Sequence, residues 1–136
     1  MHRRLFSIAT SIAAFAATAI HAHHAISSYY DSSRRVTIDG FVTQFQLINP
    51  HPFLFVEVKD EGGRPQPWRL EMDNRGELAE IGVTSATFRP GDRVIVSGSL
   101  GRTDPRSLYV LRLDRPVDGF WYEQVGTSPR IRTKAR

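Results

Sequence analysis

The fold is decided by one stretch, residues 35–47, which reads RVTIDGFVTQFQL. Its residues alternate between two faces, with Val36, Ile38, Gly40 and Val42 on one and Thr37, Asp39, Phe41, Thr43 and Phe45 on the other. Alternation over this length predicts a β-strand with one face toward a core. Gly40, in the middle of the pattern, predicts a bulge or a sharp bend.

The chain beyond this stretch continues the β pattern. Four further strands are predicted from branched and aromatic residues between turn signals, at Phe53–Lys59, Pro67–Met72, Arg93–Leu100 and Ser107–Leu113. A short helix before the fourth strand is predicted from a cap at Asp73 or Asn74 and from apolar residues up to Gly82. The aromatic run Phe120 to Tyr122 predicts a short edge strand or a plug.

This order of elements predicts the fold class. Three strands, a short helix and two strands, with a long bent first strand, indicate an all-β fold with one short helix, a small five-stranded OB-like barrel. A β-sandwich would need more strands than the pattern supplies. The side chains expected in the core are Val36, Ile38, Val42, Leu54, Val56, Leu70, Val94, Val96 and Val110.

The chain divides into four segments. We predict a signal peptide at residues 1–22, an extended lead-in at 23–34, the OB-like β-barrel domain at 35–125 and a disordered basic tail at 126–136. The charges of the tail are Arg130, Arg132, Lys134 and Arg136.

The first segment has the three parts of an export signal. Arg3 and Arg4 precede an uncharged apolar stretch that ends at Ile20, which is short for a membrane span of about 20 residues. Cleavage is expected after Ala22, with Ala19 as the alternative, by the general secretory or the twin-arginine route. We therefore expect a periplasmic or secreted protein with no membrane span after signal cleavage. An uncleaved anchor is the alternative.

Composition excludes several classes of protein. The chain has no cysteine, which excludes a disulfide framework, a thiolate zinc site and an iron–sulfur cluster. Loss of Arg3 and Arg4 with the signal lowers the net charge from +4 to +2. A net charge of +2 is much lower than that of a typical nucleic-acid-binding domain, so no nucleic acid partner is expected. The aromatic residues alternate at strand spacing, which favours a packed core over a base-stacking platform.

Catalytic motifs are not evident in the sequence. The histidines after the signal are His23, His24 and His51, and they form no recognisable triad with a nucleophile. Glu57 and Glu71 lie on neighbouring predicted strands, where a solvated sheet face explains them. The sequence therefore favours a binding module over an enzyme.

The histidines themselves point to a metal. After cleavage at Ala22, His23 is the first residue, so its α-amine and imidazole can chelate one ion together. A third nitrogen from His24 or His51 would complete the T-shaped arrangement called a histidine brace. Imidazole suits copper, zinc and nickel, and copper(II) binds tightest. We predict a metal site of His23, His24 and His51, with copper as the expected metal and zinc or nickel as alternatives. The alternative interpretation is a frayed terminus and a loop hydrogen bond from His51 to a carbonyl.

The chain also resembles a domain-of-unknown-function family of small exported bacterial proteins. The matching features, in order, are His23-His24, Asn49-Pro50-His51, Trp68-x-Leu70-Glu71, Leu78 with Gly82, and Pro90-Gly91-Asp92-x-Val94-x-Val96-x-Gly98. The resemblance covers about His23 to Asp118. The usual His-His-Ser-Phe start is here His23-His24-Ala25-Ile26. The resemblance implies export and a small β-barrel, and it implies no activity.

Three functions follow from these observations. The first is an exported β-barrel binding module that holds a transition metal. The second is a structural module that binds an unknown periplasmic protein through its barrel face and Phe120, Trp121 and Tyr122. The third is a copper-dependent oxidative enzyme, which would need an open coordination position and a substrate surface.

Overall fold

The computed structural model describes residues 26–132. The chain forms seven strands and one capped helix in this range: β1 (Tyr30–Gln46), β2 (Phe53–Lys59), β3 (Pro65–Glu71), α1 (Arg75–Glu80), β4 (Arg93–Gly101), β5 (Ser107–Arg115), β6 (Phe120–Val125) and β7 (Ser128–Arg132). Residues 26–29, just before β1, are also helical. The predicted strands and helix are all present, and the fold is mostly β with few, short helices.

The strands follow the order β3-β2-β1-β4-β5-β6-β7, and an additional pairing joins β3 to β5. That pairing is parallel and places Leu70 beside Leu108, whereas all other neighbours are antiparallel. The first five strands therefore form a closed ring of pairings, which leaves fewer open edges than a flat sheet. β6 and β7 extend the sheet from β5.

The expected count of five strands is wrong, because the structure has seven. The run from Phe120 to Tyr122 lies in β6, which pairs with β5. The expected disorder from residue 126 onward is also wrong for Ser128–Arg132, which pairs with β6 as β7. The polar sequence of this segment does not predict a strand. In the structure, Pro129 is nevertheless buried and Ile131 packs against the core. Residues 133–136 of the predicted tail lie outside the described range.

β1 begins earlier than the predicted start of the domain at residue 35. Tyr30, only 5% exposed, pairs with Gly101, so the last part of the predicted lead-in belongs to the sheet. Residues 26–29 are helical rather than extended. The part of the lead-in at residues 23–25 lies outside the described residues.

The predicted bulge lies at Thr43, not at Gly40. Val42 pairs with Val56 and Gln44 with Phe55, so Thr43 is the extra residue. An extra residue reverses the alternation that follows it. Phe45, expected on the outer face, consequently packs against the core with its ring 5.1 Å from that of Phe88.

Gly40 has a different role. It pairs regularly with Val94, and a Cβ atom there would collide with the carbonyl oxygen of Glu57. The glycine lets β1 and β2 approach closely at this point.

The core lies inside the ring, and eight of the nine side chains predicted for it are buried. The exception is Val36 of β1, which is only partly buried and packs against the core. Leu78 of α1 is buried in this core, and the Asn74 side chain caps this helix by accepting from the Gly76 amide. Within the described residues, no helix is long and apolar enough to cross a membrane.

Candidate functional site

A cleft of about 400 Å³ opens at one end of the ring. Residues 26–30, the β1–β2 connection and the β4–β5 connection contribute its walls. Its apolar lining includes Ile26 and Phe53, and its polar lining includes His51, Arg69 and Glu71. The cleft combines an apolar surface with a few convergent polar groups, as small-ligand sites do.

His51 enters the cleft from a connection that two backbone hydrogen bonds fix in place. The carbonyl of Pro50 accepts from the Arg75 amide at 2.9 Å, and the carbonyl of Pro52 accepts from the Met72 amide at 3.0 Å. These bonds tie Pro50 to the first residue of α1 and Pro52 to the residue that follows β3. The position of the ring is therefore set by tertiary contacts, and only 14% of its side chain is exposed.

The hydrogen bond of His51 determines its tautomer. Nδ1 lies 3.0 Å from the carbonyl oxygen of Met72. A carbonyl only accepts, so Nδ1 carries the proton in this bond and donates. In the neutral ring, Nε2 then holds the lone pair that can bind a metal ion. The hydrogen bond from His51 to a carbonyl, which was part of the alternative interpretation, is confirmed. The frayed terminus of that interpretation lies outside the described residues.

A second group beside His51 is the carboxylate of Glu71. One of its oxygens, Oε1, lies 3.8 Å from Nδ1 of His51. The other, Oε2, accepts a 2.7 Å hydrogen bond from the Tyr30 hydroxyl. Burial raises the pKa of the Tyr30 phenol far above its ordinary value, and the bond to Glu71 raises it further. Tyr30 therefore stays a hydrogen-bond donor across the physiological pH range.

The cleft also contains a cation, Arg69, two residues before Glu71 on β3. The Arg69 guanidinium lies 5.5 Å from the centre of the Phe53 ring, and its Nη2 is 4.0 Å from Oδ2 of Asp104. About half of each charged side chain of this pair is exposed, so the pair is a weak, solvent-screened interaction.

Tyr109 lies behind Tyr30, with the two ring centres 5.8 Å apart. Burial raises the pKa of its phenol, and the negative charges of Asp73, Glu71 and Glu77 raise it further.

The structure brings together only part of the predicted metal site. His51 is in the cleft, whereas His23 and His24 lie outside the described residues. Within residues 26–132 there is no group of three His, Cys, Asp or Glu side chains that could hold a metal ion.

Sequence reasoning missed Glu71 and Tyr30. The interpretation of Glu71 as part of a solvated sheet face is wrong, because only 16% of its side chain is exposed, whereas Glu57 is exposed. Glu71 pairs with Phe53, the first residue of β2, so it lies close to the β1–β2 connection that contains His51. Its position at the end of a predicted strand was the feature of the sequence that could have indicated this. No sequence pattern indicated the role of Tyr30, because its hydrogen-bond partner, Glu71, is 41 residues away along the chain.

The aromatic run suggested as a partner-binding surface is mostly core. Phe120 is 3% exposed and Tyr122 is fully buried. Trp121 is partly exposed, with the Arg112 guanidinium 4.8 Å from its ring centre. Phe41, at 51% exposed, is the most accessible of the described phenylalanines.

Sequence comparison places this domain in a family. The profile of a family of unknown function, DUF6152, matches residues 11–107, more than half of the chain. The chain belongs to DUF6152. The predicted resemblance to a family of unknown function is thus confirmed, and the DUF6152 match includes His51, Glu71 and all of β1 to β4. Comparisons with curated proteins and with solved structures found no match.

Proposed function

We propose that this DUF6152 protein is an exported, periplasmic binding module with an OB-like barrel, and that it holds copper(II) in the cleft around His51. The ligands in this proposal are the α-amine and imidazole of His23, the first residue after signal cleavage, and Nε2 of His51. Zinc and nickel are weaker candidates for the same nitrogens. His24 is the alternative source of the third nitrogen.

The observation that carries the proposal is that Ile26 and His51 line the same cleft. His23 precedes Ile26 by three residues, and three residues of extended chain span about 10 Å. A mature chain that starts at His23 would therefore have its terminus within about 10 Å of Ile26, which lines the same cleft as His51.

The chemistry of His51 also supports a metal. Its Nδ1 donates to a backbone carbonyl, which is the usual arrangement for a histidine that binds a metal through its other nitrogen. The negative charge of Glu71 nearby favours a cation at the ring.

The position of the cleft supports the OB-like assignment. The five-stranded ring has its helix between β3 and β4, and the cleft lies between the β1–β2 and β4–β5 connections. OB folds bind their ligands with these same two connections.

Export is tested first, because the copper site needs a free amine on His23. Amino-terminal sequencing of protein recovered from the periplasm should find His23 as the first residue. A start at Ile20 or an intact Met1 would remove that amine and end the proposal in this form.

Copper binding is then measured by isothermal titration at neutral pH with four proteins. These are the processed protein, a form with an extra amino-terminal Met, the His51→Ala variant and the His24→Ala variant. The extra Met and His51→Ala should weaken binding strongly, because the first displaces the chelating amine and the second removes the third nitrogen. His24→Ala should weaken it less if His24 points to solvent, and a loss as large as that of His51→Ala would make His24 the third ligand. Equal affinity in all four would mean adventitious surface binding and would favour a partner-binding module without metal.

Chemical turnover is measured on the same copper-loaded protein. A binding module should show no oxygen- or peroxide-dependent oxidation of added organic substrates. Sustained turnover that is lost in His51→Ala would instead make the protein a copper-dependent oxidative enzyme.

A further inference from the structure

Two opposite charges line the cleft from the same strand. Arg69 and Glu71 are two residues apart on β3, so their side chains project from the same face of the sheet. Among the ion pairs of residues 26–132, none joins the Arg69 guanidinium to the Glu71 carboxylate. The cleft therefore presents a cation and an anion that do not neutralise each other by direct contact.

Arg69 has hydrogen-bond donors to spare. Its Nη2 lies 4.0 Å from Oδ2 of Asp104, which is longer than the roughly 2.7–2.9 Å of a charge-assisted hydrogen bond. Its guanidinium lies over the Phe53 ring, 5.5 Å from the ring centre, and donates no hydrogen bond to another described residue. A guanidinium with free N–H groups suits a carboxylate, which can accept two of them.

Glu71 has the complementary capacity to accept. The Tyr30 hydroxyl donates to Oε2 at 2.7 Å, but Oε1 accepts no hydrogen bond from the part of the chain that the structure describes. Nδ1 of His51, 3.8 Å from Oε1, already donates to the Met72 carbonyl. Only 16% of the Glu71 side chain is exposed, so a ligand that donates to Oε1 would compensate its partial desolvation.

The rest of the lining is apolar. Ile26, Tyr29 and Phe53 contribute to it, and Tyr29 is 68% exposed, which leaves an aromatic surface for a ligand to cover. The cleft volume of about 400 Å³ lies within the range of small-molecule sites, roughly 300–1,000 Å³. The cleft therefore fits a small ligand that has an apolar body and charges of both signs.

We infer that this cleft binds a free α-amino acid with an apolar side chain. The ligand carboxylate accepts from the Arg69 guanidinium, the ligand ammonium donates to Oε1 of Glu71, and the ligand side chain covers the apolar lining. Residues two apart on a strand are separated by about 7 Å, so both side chains can reach the two charged groups that flank one α-carbon. The inference goes beyond the proposed copper site, because it uses described residues alone and needs no metal.

The charges of the cleft favour this ligand over simpler ones. An anion without an ammonium group would meet the carboxylates of Glu71 and Asp104, and a cation without a carboxylate would leave the donors of Arg69 unused and be repelled by its charge. A molecule that carries both groups satisfies Arg69 and Glu71 together.

The test uses four probes and isothermal titration of the metal-free mature protein at neutral pH. L-Phenylalanine carries both charges and an apolar side chain. Phenylpropionate lacks the ammonium, phenethylamine lacks the carboxylate, and glycine lacks the side chain. L-Phenylalanine should bind about tenfold or more tightly than each of the other three, because each of them loses one of the three interactions.

Two variants assign the charges to their residues. With Arg69→Gln, L-phenylalanine and phenethylamine should bind equally, and with Glu71→Gln, L-phenylalanine and phenylpropionate should bind equally. Arg64→Gln and Glu57→Gln are the matched controls, since both residues are exposed and lie outside the cleft. Both controls should keep the probe preferences of the unmodified protein, and circular dichroism shows whether each variant is folded.

The probe series on the unmodified protein decides the question even if a variant does not fold. Equal affinity for L-phenylalanine and phenethylamine, or for L-phenylalanine and phenylpropionate, would overturn the inference, because one of the two charges would then not be recognised. Unchanged preferences in folded Arg69→Gln and Glu71→Gln would also overturn it. The copper titration is a separate measurement, so the failure of either proposal leaves the other standing.

Discussion

The guanidinium of Arg115 lies 3.1 Å from the carboxylate of Asp92, and only 5% of the arginine side chain is exposed. Its Nε and Nη2 donate to the two carboxylate oxygens of Asp118 at 3.0 and 2.9 Å, and Nη1 also donates to the Thr87 carbonyl. The Phe120 ring centre lies 4.8 Å away. One buried cation thus ties the end of β5 to the segment before β4 and to the β5–β6 turn.

Arg115→Ala should therefore destabilise the protein by about 3–5 kcal/mol, because it leaves two partly buried carboxylates without their cation. Urea unfolding measures this change. Arg112→Ala is the control: Arg112 makes a two-point contact with Asp114, but 36% of its side chain is exposed, so its loss should cost about 1 kcal/mol or less. Equal costs for the two variants would contradict a buried network at Arg115.

Substitution of Leu70 tests whether the pairing of β3 with β5 closes the ring of strands. Leu70 is fully buried, pairs with Leu54 of β2 and lies beside Leu108 of β5. Leu70→Ala should cost roughly 2–4 kcal/mol through lost burial and the cavity it leaves. Val117→Ala, at a site 79% exposed, should stay within about 0.5 kcal/mol of the unmodified protein in the same unfolding measurement. A helical circular dichroism spectrum would refute the fold itself.

Substitution of Gln124 tests how much the hydrogen bonds between β6 and the rest of the domain contribute to stability. The Gln124 amide nitrogen donates to Asp73 at 2.6 Å, and its amide oxygen accepts from the Tyr122 hydroxyl at 2.8 Å. Gln124→Ala should destabilise the protein by about 1–3 kcal/mol, since both buried partners lose a hydrogen bond. The exposed Gln44→Ala serves as the control. If thermal unfolding does not separate the two variants, the network contributes nothing to stability.

Alkaline pH should unfold the protein. Burial raises the pKa of Tyr122, Tyr30 and Tyr109 above the value of about 10 expected in the unfolded chain. The unfolded state then releases these protons first, so the stability that the three phenols contribute is fully present below about pH 10 and falls as the pH rises above it.

Tyrosinate absorbance and circular dichroism followed together check this prediction. The buried phenols should ionise in the same step in which the sheet signal is lost. Tyr122→Phe should lose less stability over that pH range than the unmodified protein does. Ionisation of all tyrosines with the sheet intact would show that the three phenols are accessible.

The strands of the ring could be predicted because each depends on local pattern. Burial of one face imposes alternation, as from Val36 to Val42, and Asn74 caps its helix within three residues. The prediction failed where an element depends on a distant partner. β7 has a polar sequence and exists because it pairs with β6, and the bulge at Thr43 is set by the register of β1 against β2.

The sequence by itself determined the alternating strands and the short capped helix. It also predicted an export signal and a metal site that includes His51. Only the tertiary structure decided what surrounds His51. Met72 and Glu71 lie beside His51, and Tyr30 lies against Glu71 in the same cleft, because β3 pairs with β2 and β5 while β1 pairs with β4. Contacts between residues 21 and 41 positions apart leave no periodic trace in a sequence, since they depend on how strands pair and not on the neighbours along the chain.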